Sequence, residues 1–219
     1  MSRLLFEKKG SAIWISHLDL MRLFQRAFKR ANLPLKHTQG FNPRPSVSIA
    51  LPLSVGVESS CELLDFELEG QTVSCDEIVS RLNAQLVSGI QVLDAYEDGR
   101  KIKHLGLLDC TVTLEYDLGV PNCAVEKITN LFAGQALLVE KKGKNGTVRQ
   151  DIIPMIKGIT VARTDNNTIT ISALICCQEP TLNPAQLTAA IQAYLPEYRP
   201  DFAYCKRNEI YDREETVFR

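Results

Sequence analysis

The chain has 219 residues, 25 Lys and Arg against 26 Asp and Glu, and 45% hydrophobic residues, a composition that excludes a disordered chain and suits one large domain or two small ones. No apolar run approaches the roughly 20 residues that span a bilayer. The first ten residues lack the apolar stretch of a secretory signal, so the expected location is the cytoplasm, with no membrane partner.

The near-neutral total hides an asymmetry. Residues 1–50 carry nine Lys and Arg against two Asp and Glu, and the remainder carries sixteen against twenty-four. A local cationic field usually serves an anionic partner. The seven cysteines are odd in number, form no Cys-x-x-Cys and lie in apolar or strand-like stretches, so they read as reduced, buried thiols.

Leu4 to Phe6 begins a strand, and Ala12 to Ile15 reads as a second β-prone run ending at Ser16. Ser16 is placed to cap a helix, with Asp19 three residues on as a short-armed capping box. The helix is predicted to run to about Asn32 and stop before Pro34. On a 100° wheel Leu20, Leu23, Phe24, Ala27, Phe28 and Ala31 share one side, and Arg22, Arg26, Lys29 and Arg30 share the other. The apolar side is expected to pack and the basic side to face out.

Strands are predicted over 47–53 and 61–69, a helix over 76–86 and a strand over 90–95, giving β-α-β-β-α-β. Beyond a linker near 97–104 a similar order returns. It comprises strand 109–116, helix 121–132, strands 136–141 and 149–153, strands 158–162 and 168–176 around the Asp165-Asn166-Asn167 turn, helix 184–194 and strand 202–206. The expected fold class is therefore α+β, as two tandem ferredoxin-like (βαββαβ) units with antiparallel sheets, divided as 1–100 and 101–219, the second more acidic.

Between helix and strand lies a loop of backbone-specialised residues. Gly40 permits a positive φ, while Pro43 and Pro45 fix their own φ and push Asn42 and Arg44 toward extended conformations. Such a stiff loop holds Asn42 and Arg44 with little ordering entropy left to lose on binding, as recognition of a phosphate or a base requires. Phe41 offers a stacking face, although the same ring could plug a core. Gly56 shapes a second loop, in which Glu58 and Glu62 are candidate partners for the helix arginines.

His17 at the helix start and Asp19 beside it are the candidate catalytic residues, because the positive helix end favours a neutral imidazole. A structural His17 is the competing reading. His37 and His104 supply no metal-ligand spacing, and no metal or other cofactor is expected. A phosphate-binding Gly-x-x-x-x-Gly-Lys-Ser/Thr loop, a Gly-x-Gly-x-x-Gly turn and a Gly-x-Ser-x-Gly elbow are all missing.

Ser16-His17-Leu18-Asp19, Arg26, Arg30-Ala31, Gln39-Gly40-Phe41-Asn42-Pro43, Pro52-Leu53, Gly56-Val57-Glu58-Ser59 and Glu62 together resemble the radical-SAM-linked protein family. The resemblance is dense from Arg3 to about Glu69 and thinner afterwards, at Arg149-Gln150-Asp151, Pro154 and Arg207. Where that family commonly shows His this chain has Arg44, and where it shows Lys this chain has Ser46. The resemblance implies association with radical S-adenosylmethionine enzymes and with RNA. The Cys-x-x-x-Cys-x-x-Cys of such an enzyme's own cluster is absent here.

The leading expectation is an RNA-binding accessory module, for tRNA or rRNA and with no argued preference for DNA, working with a radical-SAM or other RNA-modifying partner. Arg22, Arg26, Lys29, Arg30, Lys36 and Arg44 would hold phosphates, with Phe41 and Asn42 on a base. The alternatives are an RNA-acting enzyme using His17 and a protein-docking domain for a radical-SAM enzyme.

Overall fold

The computed structural model describes residues 2–70, 73–143 and 146–219. The chain divides into two compact units, Met1–Ile102 with Arg219, and Lys103–Phe218.

The first unit contains β1 (Ser2–Lys8), α1 (His17–Arg30), β2 (Val47–Ile49), β3 (Val57–Phe66), α2 (Cys75–Asn83) and β4 (Ile90–Tyr96). Its antiparallel sheet runs β4-β1-β3-β2, so the first strand lies between the third and the fourth. The strands expected over 47–53 and 61–69 lie over 47–49 and 57–66, and one further run changes type. Residues 10–14 form a 3-10 turn rather than a strand. Gly10 takes φ +56°, the Ala12 amide donates to the Lys9 carbonyl, and the buried Lys8 ammonium donates to the Ile13 and Ile15 carbonyls at 3.0 and 2.8 Å. Backbone groups held this way are taken from any strand ladder, and a four-residue apolar run carries no periodicity to tell the two apart.

The helix stripe packs as its spacing predicts. Leu20, Phe24, Ala27, Phe28 and Ala31 are buried, and Leu23 is half-buried. Phe24 meets Phe6 of β1 edge-on at 4.7 Å between ring centres, and Phe28 meets Phe66 of β3 at 5.0 Å. Ile78 and Leu82 of α2 join the same core with Leu4, Leu64 and Val92. Arg3 and Asp65, opposite each other on β1 and β3, form a buried ion pair with contacts of 2.6 and 3.2 Å.

The second unit contains β5 (Leu105–Glu115), α3 (Ala124–Phe132), β6 (Leu138–Gly143), β7 (Gly146–Asp151), β8 (Ile156–Arg163), β9 (Thr168–Cys176), α4 (Ala185–Tyr194) and β10 (Phe202–Asp212). Its antiparallel sheet runs β10-β5-β9-β8, while β6 and β7 form a separate hairpin. The predicted turn between β8 and β9 is closed by the Asn167 amide on Asp165 Oδ1 at 2.7 Å, an Asx arrangement.

The thiols are reduced, but not all are buried. Cys61, Cys110, Cys176 and Cys177 are buried, Cys75 and Cys205 are half-buried, and Cys123 is exposed. Burial pushes the Cys177 thiol up to about 12 and that of Cys205 to about 11, which leaves both as inert neutral groups.

Gly89 joins β4 to the 3-10 turn, since its carbonyl accepts the Lys9 amide at 2.8 Å. It adopts φ +86°, and a Cβ there would lie 2.4 Å from the Lys9 carbonyl oxygen. Gly70 takes φ +70° in open space. Gly89→Ala is therefore expected to lower unfolding free energy by more than about 2 kcal/mol, against about 1 to 2 for Gly70→Ala, where only backbone strain is added. Urea unfolding of both variants checks the contrast.

Candidate nucleic-acid interface

The helix that carries the cations is capped from its own first turn. The Ser16 hydroxyl oxygen accepts the Asp19 amide at 3.2 Å, and the hydroxyl donates to Asp19 Oδ2 at 2.7 Å. The other carboxylate oxygen accepts Arg22 Nη1 at 3.2 Å. The Ser16 hydroxyl first, then the Arg22 guanidinium, hold the Asp19 carboxyl below its ordinary range. Asp19 is thus committed to Ser16 and Arg22 and makes no hydrogen bond to His17.

His17 is half-buried, and its Nδ1 is enclosed with no hydrogen-bond partner. Among the described residues no three His, Cys, Asp or Glu side chains are grouped as a metal site would need.

All four helix cations, Arg22, Arg26, Lys29 and Arg30, are exposed, as the wheel predicts. They differ in what holds them. Arg22 is tied to Asp19, and Arg30 Nη2 donates to the Gln85 carbonyl at 2.8 Å. Among the described residues, Arg26 and Lys29 have no carboxylate within 4 Å. Glu62 is fully buried on β3, opposite Phe6, and so cannot serve the exposed arginines as the sequence suggested.

The loop after α1 is a hairpin rather than a plain turn. Its stem is closed by the Ser46 amide on the Lys36 carbonyl at 2.7 Å and the Thr38 amide on the Arg44 carbonyl at 2.8 Å. The Arg44 amide in turn donates to Thr38 Oγ1 at 3.0 Å. His37 and Pro45 bridge across the stem, and the Lys36 amide on the Glu67 carbonyl joins it to the end of β3. Gly40, at φ +142°, Asn42 and Pro43 form the tip with Phe41, which is 100% exposed and plugs no core. Lys36 and Arg44 stand exposed on the stem, Lys36 with Glu67 at 3.4 Å and Arg44 with no carboxylate within 4 Å among the described residues.

Gly56 lies in the second loop, just before β3. Its amide donates to the Ile13 carbonyl at 2.9 Å, and at φ +82° it lies against the ring of Trp14. Trp14 and Leu18 are each 67% exposed, two residues whose exposure sequence reasoning passed over. The available signal was Leu18, an apolar residue on the basic side of the wheel.

The molecule is thus an α+β protein of antiparallel sheets and, among the described residues, four α-helices, with a cationic helix beside a projecting hairpin. It belongs to the family described as an uncharacterized protein conserved in bacteria (DUF2344), whose family model matches residues 2–184. No curated protein matches the chain. Among solved structures it is similar to a chain of a Cbf5–Nop10–Gar1 complex, with 11% identity and a TM-score of 0.51 over 95% of this chain. It spans about half, 48%, of that chain's length, and the likeness is one of fold. A protein of unknown function from Galdieria sulphuraria also aligns, with 11% identity over 94% of this chain and 96% of the other, at a TM-score of 0.27. Among the described residues no helix is long and apolar enough to cross a membrane.

The Asp19 network predicts a titration. A lowered carboxyl contributes stability above its ordinary range and loses it as pH falls through the lowered value. In Ser16→Ala the Asp19 midpoint, read by carbon-13 NMR of the side-chain carboxyl, is expected to move up toward the ordinary range. Melting temperature should drop with the lost cap, a change worth about 1 kcal/mol.

Proposed function

We propose that this chain is a cytoplasmic RNA-binding accessory module that presents tRNA or rRNA to a radical-SAM or other RNA-modifying enzyme. We read its framework as two tandem ferredoxin-like units. That reading is supported by the strand arrangement of each sheet, in which the first strand lies between the third and fourth and the second lies outermost beside the third. In the second unit β6 and β7 are then an inserted hairpin.

The observation that carries the RNA reading is Phe41, wholly exposed at the tip of a hydrogen-bonded stem and followed by Arg44. A phenyl ring fully in water costs solvation free energy without any return to the fold. A ring held clear of the core beside unpaired cations suits a base whose phosphates lie on those cations. The partner enzyme is suggested by the family resemblance of residues 3–69.

Two consequences are measurable with a labelled single-stranded RNA. Affinity should fall with salt by about 0.7 log units per log unit of salt for each phosphate neutralised, and Arg26→Ala with Lys29→Ala should flatten that slope by about 1.4. Phe41→Ala should weaken binding by about 1 to 3 kcal/mol while moving the melting temperature little, because the ring touches no core. A flat salt response, or full affinity in the alanine variants, rejects the reading.

A further inference from the structure

We propose that Trp14 is a second nucleobase-stacking residue, set at the opposite end of α1 from the Phe41 hairpin. The ligand is then a single RNA strand laid along α1, with its phosphates on Arg26 and Lys29. This deepens the RNA reading above and rests on it.

Trp14 is the only tryptophan in the chain, and it is 67% exposed. Its backbone is held from two sides. The fully buried Lys8 donates from Nζ to the carbonyls of Ile13 and Ile15, which flank it, and the Gly56 amide donates to the same Ile13 carbonyl. Burying an ammonium is costly unless its hydrogen bonds are met, and here two of them fix the turn that presents the ring. Behind the ring lies backbone without a side chain, since a Cβ on Gly56 would sit 3.5 Å from Trp14 Cζ3 and 3.9 Å from Cη2. One edge of the indole is therefore backed by a glycine, and two thirds of the residue stays exposed. Leu18, in the first turn of α1, and Val55, beside Gly56, are also exposed, at 67% and 54%.

The charges follow the same axis. Nearest the apolar end, Arg22 is engaged by Asp19, and farther along Arg26 and Lys29 form no ion pair among the described residues. Bases are thereby favoured at the Trp14 end and phosphates beyond it. The turn of Trp14 is tied through Gly56 just before β3, and the stem of the hairpin is tied to Glu67 just after it. The ten residues of β3 span about 33 Å, and the fourteen of α1 about 21 Å, so the two rings bracket a cationic helix. A double helix keeps its base faces stacked on one another, whereas a single strand has faces to give to both rings.

The lone indole reports on itself. Wild-type protein is titrated with single-stranded RNA of about 4 to 16 nucleotides, the range of site sizes for such grooves, and with a duplex of the longest sequence. Intrinsic fluorescence and anisotropy of end-labelled RNA are read together. We expect saturable quenching with the same midpoint as the anisotropy and at least tenfold weaker binding of the duplex. Trp14→Ala should lose roughly 5- to 150-fold in affinity, and Trp14→Phe should retain most of it. If RNA binds with the salt and Phe41 dependence described above while the indole signal stays flat and Trp14→Ala binds normally, the second stacking site is overturned and the RNA reading stands. If no RNA binds at all, the RNA reading fails first. Fluorescence that changes with protein concentration and not with RNA assigns the ring to self-association, and this too overturns the proposal.

Discussion

Two ring contacts, Phe6 with Phe24 and Phe28 with Phe66, set how α1 lies on the sheet of the first unit, and the site depends on that placement. Each buried phenyl contributes on the order of 3 to 5 kcal/mol when judged by truncation to alanine. With one face of the helix held so firmly, Arg22, Arg26, Lys29 and Arg30 are left on the other. The same contacts put Ser16 and the Trp14 turn at one end of β3 and the hairpin stem at the other. A helix rotated by one residue, about 100°, would bury guanidinium groups without partners, at a cost no surface contact could offset.

The electrostatics around that helix come from close neighbours. Asp19 and Glu67, both in the first unit, answer Arg22 and Lys36 across exposed contacts of 3.2 and 3.4 Å. Such exposed pairs add little to stability, because water screens them and holding both side chains in place costs entropy. The Arg3–Asp65 pair is of another kind. It is buried between β1 and β3, and losing one partner would leave a charge stranded in the core. The first unit therefore keeps a fixed ion pair inside and exchangeable ones outside.

Legibility varied by element. α1 could be read almost to the residue, because Ser16, Asp19 and the 3.6-residue spacing of Leu20, Phe24, Ala27 and Phe28 all agree. The run 12–15 was misread, because the hydrogen bonds that make it a turn come from the Lys8 side chain and from Gly56, contacts that local propensity does not encode. The strand over 47–53 was read too long, since β2 ends at Ile49 and its last bond to β3 runs from the Ala50 amide to the Leu63 carbonyl at 2.9 Å. Of the candidate site residues, the four helix cations are exposed as the wheel spacing suggests, while the contact of Gly56 with the Trp14 ring has no counterpart in the sequence pattern.

The amino-acid sequence by itself determined the α+β class, the amphipathic helix with its cap, the charge asymmetry and the stiffness of the segment around Gly40, Pro43 and Pro45. These depend on side-chain spacing and on the intrinsic φ preferences of single residues. Tertiary structure alone decided that Phe41 stands in water instead of filling a cavity, that β6 and β7 leave the main sheet of the second unit, and that Glu62 is buried on β3. Each of those outcomes is a competition among partners distant in sequence, and burial and strand register select the winner.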